Sequence, residues 1–598
     1  MAKIKCGLEI HQMLDGKKLF CDCPTELRDE TPDVKFTRRL RAVVGETGEV
    51  DIAAAQEMQK GKLSKYEGYT HATCLVEYDE EPPHEINKQA LQTAVQFARM
   101  CNAYVIECAQ VMRKMVVDGS NTSGFQRTAL IAANGKIETK EGIIGIPTIM
   151  LEEDAARKIT DDFESTTWRL DRLGIPLIEV STTPDITTPE QAKEVAEKLG
   201  LMLRSTGHAK RGIGTIRQDI NVSIEGGIRV EIKGAQDLKL VPTYVEVEAK
   251  RQETLLAIKS ELITRGAKAQ KPEIKNLTEL FKNSDSKIIR KTNYVLGFKL
   301  EKFLGLTGKQ TQPGKRLGTE LSERAKIIAG VGGIIHADEL PNYGITETDV
   351  SNVRKTLGCQ EQDGFVIIAD EENKAQKAAK AVIQRANEAL IGVPSEVRNA
   401  NPDGTTSYMR PMPGAARMYP ETDIPLIIVD QKMLQAPLPE QIEDKIVRYS
   451  KIMAPDLAEA LAKSPRATWY ERIIKEFTTL KPAFVAEILI GAEKNIKSQY
   501  KIDVNPTEDD YHHLFHSLAE EKISKESIVE ILKEGKPVHE IITKYYVMND
   551  KELDAKIKTL VEKHKGMNPG AIMGVVMQEL RGKASGAKIS TILKKYLT

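Results

Sequence analysis

Residues 4–14 read IKCGLEIHQML, and in this run Ile4, Cys6, Leu8 and Ile10 alternate with Lys5, Gly7, Glu9 and His11. A period of two marks a strand buried on one side, which sends Glu9 and His11 together to the other side. Outward from this strand, the spacing predicts four more at residues 144–151 (IGIPTIML), 175–182 (IPLIEVST), 215–224 (TIRQDINVSI) and 228–234 (IRVEIKG). Two helices interleave with them. Leu91, Ala94, Val95, Ala98 and Cys101 fall at helical spacing behind an Asn87 cap, and Thr188-Pro189 with Gln191 spells a capping box. The first 280 residues or so therefore mix both kinds of element.

Further along, residues 392–439 carry eight of the 26 prolines, where the average composition gives about two, so this stretch reads as extended chain and turns with a boundary after it. From about Ala436 onward the chain reads as helices, in segments such as IEDKIVRYSKIM, KPAFVAEILIGA and SIVEILKEG. Residues 549–598 hold ten Lys/Arg against five Asp/Glu, a net of +5.

At 598 residues and about 150 per domain, the chain has room for about four domains. Lys plus Arg (86) balances Asp plus Glu (86) and hydrophobic residues make up 41%, which excludes a disordered polyelectrolyte and a wholesale basic coat for nucleic acid. Contact with nucleic acid must then be local. No apolar run approaches the ~20 residues of a membrane span and MAKIKCGLEIH has no signal-peptide core, so a soluble, cytoplasmic protein is expected. Seven cysteines without a framework spacing point to reduced thiols.

Acids arrive on three strand-like segments: Glu9 beside His11, the triplet Glu152, Glu153 and Asp154 closing an apolar run, and Glu179 inside IPLIEV. A carboxylate within so apolar a strand is costly to bury unless a cation or a metal pairs with it. If the strands converge, the oxygens and one imidazole suit Mg²⁺, although imidazole also suits Mn²⁺ or Zn²⁺. The residues alone leave a second reading open, in which Glu9 and His11 lie on a solvated face and EEDAARK opens a helix whose N-terminus favours acids. Arg217, Asp219, Asn221 and Ser223 share one strand face and Glu231 and Lys233 another, a set suited to a phosphate and a polar substrate or simply to the wet side of a sheet.

GLEIH, Arg113-Lys114 with DGSNTSGFQRT (residues 118–128), LEEDA (151–155), DRLGIPLIEVSTTPDI (171–186), IRQDINVSI, EIKGAQ and RMYPETDIPLI (417–427) occur in this order. Together they resemble the B/E-subunit family of tRNA-dependent amidotransferases. DGSNTSGFQRT and the extra chain between motifs point to its archaeal branch, which acts on glutamyl-tRNA(Gln). The resemblance implies a multidomain α+β fold. A mixed, largely antiparallel cradle would comprise residues 1–285 plus 394–430, with an aspartyl-tRNA-synthetase-like insert at 286–393, a helical domain at 431–545 and a tail at 546–598. It places the family's metal ligands on His11, Glu153 and Glu179, with Glu9 close by, and a catalytic lysine at Lys114. The nucleotide and acyl-tRNA pocket would fall on Lys114, Asn121, Ser123, Arg217, Asp219, Asn221, Glu231 and Lys233.

The implied reaction uses ATP and Mg²⁺ to phosphorylate the γ-carboxylate of glutamate on tRNA(Gln), after which ammonia displaces phosphate. A carboxylate cannot expel oxide unaided, and phosphoryl transfer between anions needs cations and in-line placement. No GxxxxGK[ST] stretch occurs, so the ATP site is of another kind. The chain also lacks a Ser-Lys amidase stretch and a Thr-Gly-Gly-Thr pattern. The resemblance accordingly implies an asparaginase-like D subunit as ammonia source, in a heterotetramer of two copies of each chain, with no DNA and no membrane partner. The rival reading is a tRNA-binding scaffold without chemistry.

Cys21-Asp-Cys23 is similar to half of the zinc ribbon that some B subunits carry, but no CxxC follows within the usual spacing and Cys6 and Cys74 are the only nearby extras; free thiols are the expectation and a structural metal is the alternative. His512, His513 and His516 could form a metal-binding helix face, but an exposed polar helix after a Thr507 cap is the expectation. The basic tail, including Arg581, Lys583, Lys588, Lys594 and Lys595, suits tRNA phosphates or solvent.

Overall fold

The computed structural model describes residues 3–41, 61–162, 164–292, 294–412, 418–580, 583–584 and 586–597. They fall into two compact units, residues 1–439 and 440–598. Arg417 and Arg581 lie outside the described residues.

In the first unit, the alternating N-terminal stretch forms the strand Ile4–Met13 in the middle of an eleven-stranded sheet. From one edge the order is Thr406–Pro411, Glu396–Ala400, Val230–Lys233, Ile216–Ile224, Ile4–Met13, Pro176–Ser181, Gly142–Glu153, Phe125–Thr139, Val111–Met115 and Met418–Pro420. The short Tyr104–Val105 strand adds to Phe125–Thr139. The four further strands read from the sequence lie within two residues of their expected ends. Glu396–Ala400 runs parallel to Val230–Lys233, and this makes the sheet mixed.

Alternation divides the sheet into two faces. Leu8, Ile10, Ile178, Val180, Ile149, Leu151, Ile220 and Val222 form one core with residues of the helices Lys88–Met100, Pro189–Ser205 and Val241–Thr264. Removing that apolar surface from water stabilises the layer by roughly 25 cal/mol per Å². The first two of these helices start on side-chain caps. Asn87 accepts from the amides of Gln89 and Ala90, and Thr188 from that of Gln191. The capping box differs in one bond: the Gln191 side chain accepts from Thr187 N–H, one residue before the cap.

A second sheet, ordered Lys275–Asn276, Val295–Leu300, Gly364–Ala369 and Ile335–His336, packs with the helices Leu317–Ala329, Glu347–Leu357 and Glu372–Ile391. Its first strand precedes residue 286, and its core joins Leu255, Ile258 and Leu262 of the Val241–Thr264 helix. A third sheet is built from Val34–Arg38, Leu63–Gly68, Ser165–Arg169 and Arg157–Asp161. EEDAARK runs from the end of one strand into another and starts no helix, because Glu152 and Glu153 remain in register with Leu177 and Pro176.

The second unit is helical from Ile442–Ser450 to Gly586–Leu597. Its last three helices close around Leu553, Ile557, Val576 and Leu593. His512, His513 and His516 sit on the Thr507-capped helix Glu508–Ala519, each beside an acid (Glu476, Asp509 and Glu520). No described helix is long and apolar enough to cross a membrane.

Candidate active site on the polar face of the large sheet

Antiparallel register assembles the polar face. His11 lies opposite Glu179 on one side and Arg217 on the other, Glu9 lies opposite Asp219, and Asn221 opposite Glu231. Directly opposed residues share a face, so segments about 220 residues apart in sequence meet there. His11 Nε2 is 3.3 Å from Glu179, 3.5 Å from Glu9 and 3.7 Å from Glu152. Lys114 donates to Glu152 at 2.7 Å and lies 3.6 Å from Glu179. On the other side of His11, Arg217 donates to Asp154 at 2.7 Å, and Lys233 lies 2.5 Å from both Asp219 and Glu231. Asn221 Oδ1 is buried without a hydrogen-bond partner.

The crowding perturbs the acids and the imidazole. Burial raises Glu9 and the neighbouring Glu179 charge raises it further, against the attraction of His11 and Lys233, to about 7. Burial opposes the imidazolium of His11, but its hydrogen bond to Glu179 and the charges of Glu179, Glu152 and Glu9 prevail and lift it to about 9. Glu179, despite burial, is held well below the usual carboxylate range by His11 and Lys114. Burial pushes Glu152 up, with Lys114 opposing. Such a divergence among neighbouring groups is typical of functional clefts.

Donor atoms of Glu9, His11 and Glu179 all lie within 4.8 Å of one another. Two carboxylates and an imidazole fit a divalent cation such as Mg²⁺ or Mn²⁺, which would also relieve the repulsion that raises Glu9.

Two groups of expected site residues lie elsewhere. Glu153 is not part of the His11 group; Glu152, its neighbour, occupies that place. Consecutive strand residues point to opposite faces, and Glu153 shares the side of Ile149 and Leu151, where it accepts from Arg127 N–H at 3.1 Å and lies 3.4 Å from the Arg127 guanidinium. Asn121 and Ser123 line a narrow cavity with Glu153, Arg127 and Lys18. Its volume is about 10 Å³, enough for one water and far too small for a nucleotide. Asp154, the partner of Arg217, is read from the sequence only as one of an acid triplet and is not among the residues that the resemblance assigns to the site. Counting by twos from Met150, which faces Glu179, reaches Glu152 and then Asp154, so alternation alone carried that signal.

Residues 4–435 match the GatB/GatE catalytic domain, and residues 468–597 match the GatB domain. The chain belongs to the GatB/GatE family. The family's catalytic-domain match spans the large sheet with its polar face, the third sheet and the second sheet with its helices. This GatB/GatE chain is similar along its length to proteins named as the E subunit of glutamyl-tRNA(Gln) amidotransferase. It is 48% identical to that of Methanocaldococcus jannaschii, over 99% of this chain and 98% of the relative. Identity is 46% with that of Thermococcus gammatolerans and 44% with that of Methanococcus maripaludis strain S2, at the same two coverages.

Proposed function

We propose that this chain is the kinase and transamidase subunit of a glutamyl-tRNA(Gln) amidotransferase and that the His11 face is its active site. The observation that carries the reading is the convergence of Glu9, His11, Glu152 and Glu179 with Lys114, Arg217 and Lys233 on one sheet face. A binding scaffold has no use for so many crowded acids. Glu9, His11 and Glu179 would hold Mg²⁺, which shields phosphate charge when bound. Lys114, oriented by Glu152, meets phosphate oxygens, and Arg217 and Lys233 bind further anionic groups of nucleotide or acyl-tRNA. These cations bring the γ-carboxylate oxygen of the glutamyl ester to the γ-phosphorus of ATP, and ADP leaves. Ammonia then attacks the acyl carbon, phosphate departs, and the product is glutaminyl-tRNA(Gln).

Ammonia comes from a separate amidohydrolase, the asparaginase-like D subunit, in a heterotetramer of two copies of each chain. The relatives' name, which is that of a subunit, supports this part of the reading. The purified chain alone should release no ammonia from glutamine or asparagine.

The test is ADP formation from ATP and glutamyl-tRNA(Gln) in the presence of the partner. His11→Ala and Glu179→Gln should lower turnover by at least about 100-fold, the scale of removing a preorganised charge from a transition state. Turnover equal to wild type in both variants would refute the assignment.

A further inference from the structure

An antiparallel sheet with one face on a core and the other open alternates apolar and polar residues, and the large sheet keeps to this at His11, Glu179 and Arg217. It departs from the pattern on the strands beyond Glu179. Met150 stands directly opposite Glu179, and Leu130 opposite Met150. In the next row Met112 lies opposite Thr128, and Thr128 opposite Glu152. On the edge strand Met418 lies opposite Lys114. Opposed residues share a face, so Met112, Leu130, Met150 and Met418 stand on the face of His11 and Lys114. Their sequence neighbours Val111, Ala129, Ile149 and Leu151 supply the core on the other face.

This apolar patch is open rather than packed. Met112, Leu130 and Met150 are half-buried, and Met418 is 42% exposed. Thr128, between Met112 and Glu152, is buried, and its hydroxyl has no hydrogen-bond partner among the described residues. Strands lie ~4.8 Å apart, so the row from Glu179 through Met150 to Leu130 spans roughly 10 Å, room for a flat bicyclic ring. None of the four side chains carries charge, and Lys114 borders them. The patch therefore suits a neutral, planar group joined to an anion that Lys114 holds. Three of its four members are recessed, which admits a ring and keeps out a protein surface. Thioethers make favourable contacts with aromatic rings. Adenine is such a ring, and it occurs both in ATP and in the terminal adenosine of tRNA that carries the glutamyl ester.

We propose that Met112, Leu130, Met150 and Met418 form the subsite for an adenine ring whose attached anionic groups meet Lys114. The assignment rests on the reading of the His11 face as the active site. The ring lies on the thioethers and on Leu130, with its sugar directed towards Lys114 and Glu179. Arg217 and Lys233, on the far side of His11, then serve the other substrate. Two substrates that approach Glu9, His11 and Glu179 from opposite sides are placed as in-line phosphoryl transfer needs.

The experiment measures equilibrium binding to the full chain and needs no turnover. ADP is compared with UDP, and the glutamyl amide of 3′-amino-3′-deoxyadenosine with its uridine counterpart. In Met112→Ala/Met150→Ala one adenine probe should weaken by about 5- to 10-fold and its uracil counterpart by less than about twofold, while Met112→Leu/Met150→Leu restores most of the preference. Loss confined to ADP assigns the subsite to ATP, and loss confined to the aminoacyl mimic assigns it to the terminal adenosine. A wild-type chain without a preference for adenine over uracil overturns the proposal, and so does a folded alanine variant that keeps both preferences. If the alanine variant does not fold, Met418→Asp, at an exposed position, is judged by the same outcomes. Glu179→Gln should lower ADP formation and leave the preference for adenine unchanged. Turnover that survives in Glu179→Gln counts against the active-site reading, and the binding ratios still decide the subsite.

Discussion

Glu152 and Glu153 are adjacent and chemically identical, yet the register assigns them to opposite faces of one sheet. Replacing each in turn by Gln keeps size and removes one charge. In Glu152→Gln, Lys114 loses the carboxylate that accepts from it at 2.7 Å, while Glu179 stands 3.6 Å away. A hydrogen bond between charged groups contributes about 1.5–3 kcal/mol, so misplacing Lys114 should lower kcat/KM for ADP formation by about 10- to 150-fold. Burial raises the carboxyl of Glu152 above its ordinary value, which means that folding disfavours its charge; the neutral amide should not lower Tm at pH 7. In Glu153→Gln, Arg127 keeps its 2.8 Å contact with Glu421, and turnover should stay within about threefold of wild type. The assay is steady-state ADP release with glutamyl-tRNA(Gln) and the partner subunit, with Tm measured in parallel. Equal losses in the two variants, or a greater loss at Glu153, would refute the placement of Lys114 and the facing assigned to this strand.

Three other outcomes are expected. Arg251 is wholly buried and bonds Glu248, Glu320 and Glu396, so Arg251→Met should cost about 3–5 kcal/mol in thermal or urea unfolding, with partial recovery in Arg251→Met/Glu320→Gln; an unchanged Tm would contradict the network. Glu421, though burial opposes its charge, is held down at about 2 by Arg113, the Asp423 amide and Arg127; its stabilisation is full above its usual value of 4.5 and fades as pH falls towards 2. The Tm gap between wild type and Glu421→Gln should therefore narrow from pH 6 to pH 3. Removing residues 549–598, which carry a net +5, should weaken tRNA binding and flatten its dependence on salt; identical salt slopes would remove the tail from the tRNA contact.

Much of the fold was legible because its strands alternate. IKCGLEIHQML and IPLIEVST announce a half-buried sheet, and the Asn87 and Thr188 caps mark helix starts in the side chains themselves. Pairing order was not legible. Nothing local in Glu396–Ala400 says that it runs parallel to Val230–Lys233, or that Lys275–Asn276 begins the second sheet. At the site, His11, Glu9, Glu179 and Lys114 could be named from their motifs, but the choice between Glu152 and Glu153 depends on one residue of register. Donor atoms of Cys21, Cys23, Cys74 and Glu77 come within 4.8 Å of one another, a convergence that depends on tertiary folding across about fifty residues and carries no CxxC signal.

Whether Glu9, His11 and Glu179 together hold a divalent ion decides the catalytic reading. Mn²⁺ bound to the full chain, observed by pulsed electron paramagnetic resonance, reads this directly. Modulation from a coordinated imidazole nitrogen is expected, and it should disappear in His11→Gln, together with weaker Mn²⁺ binding in Glu179→Gln. Mn²⁺ bound without nitrogen coupling, or with coupling that persists in His11→Gln, would contradict a metal centre on these three side chains.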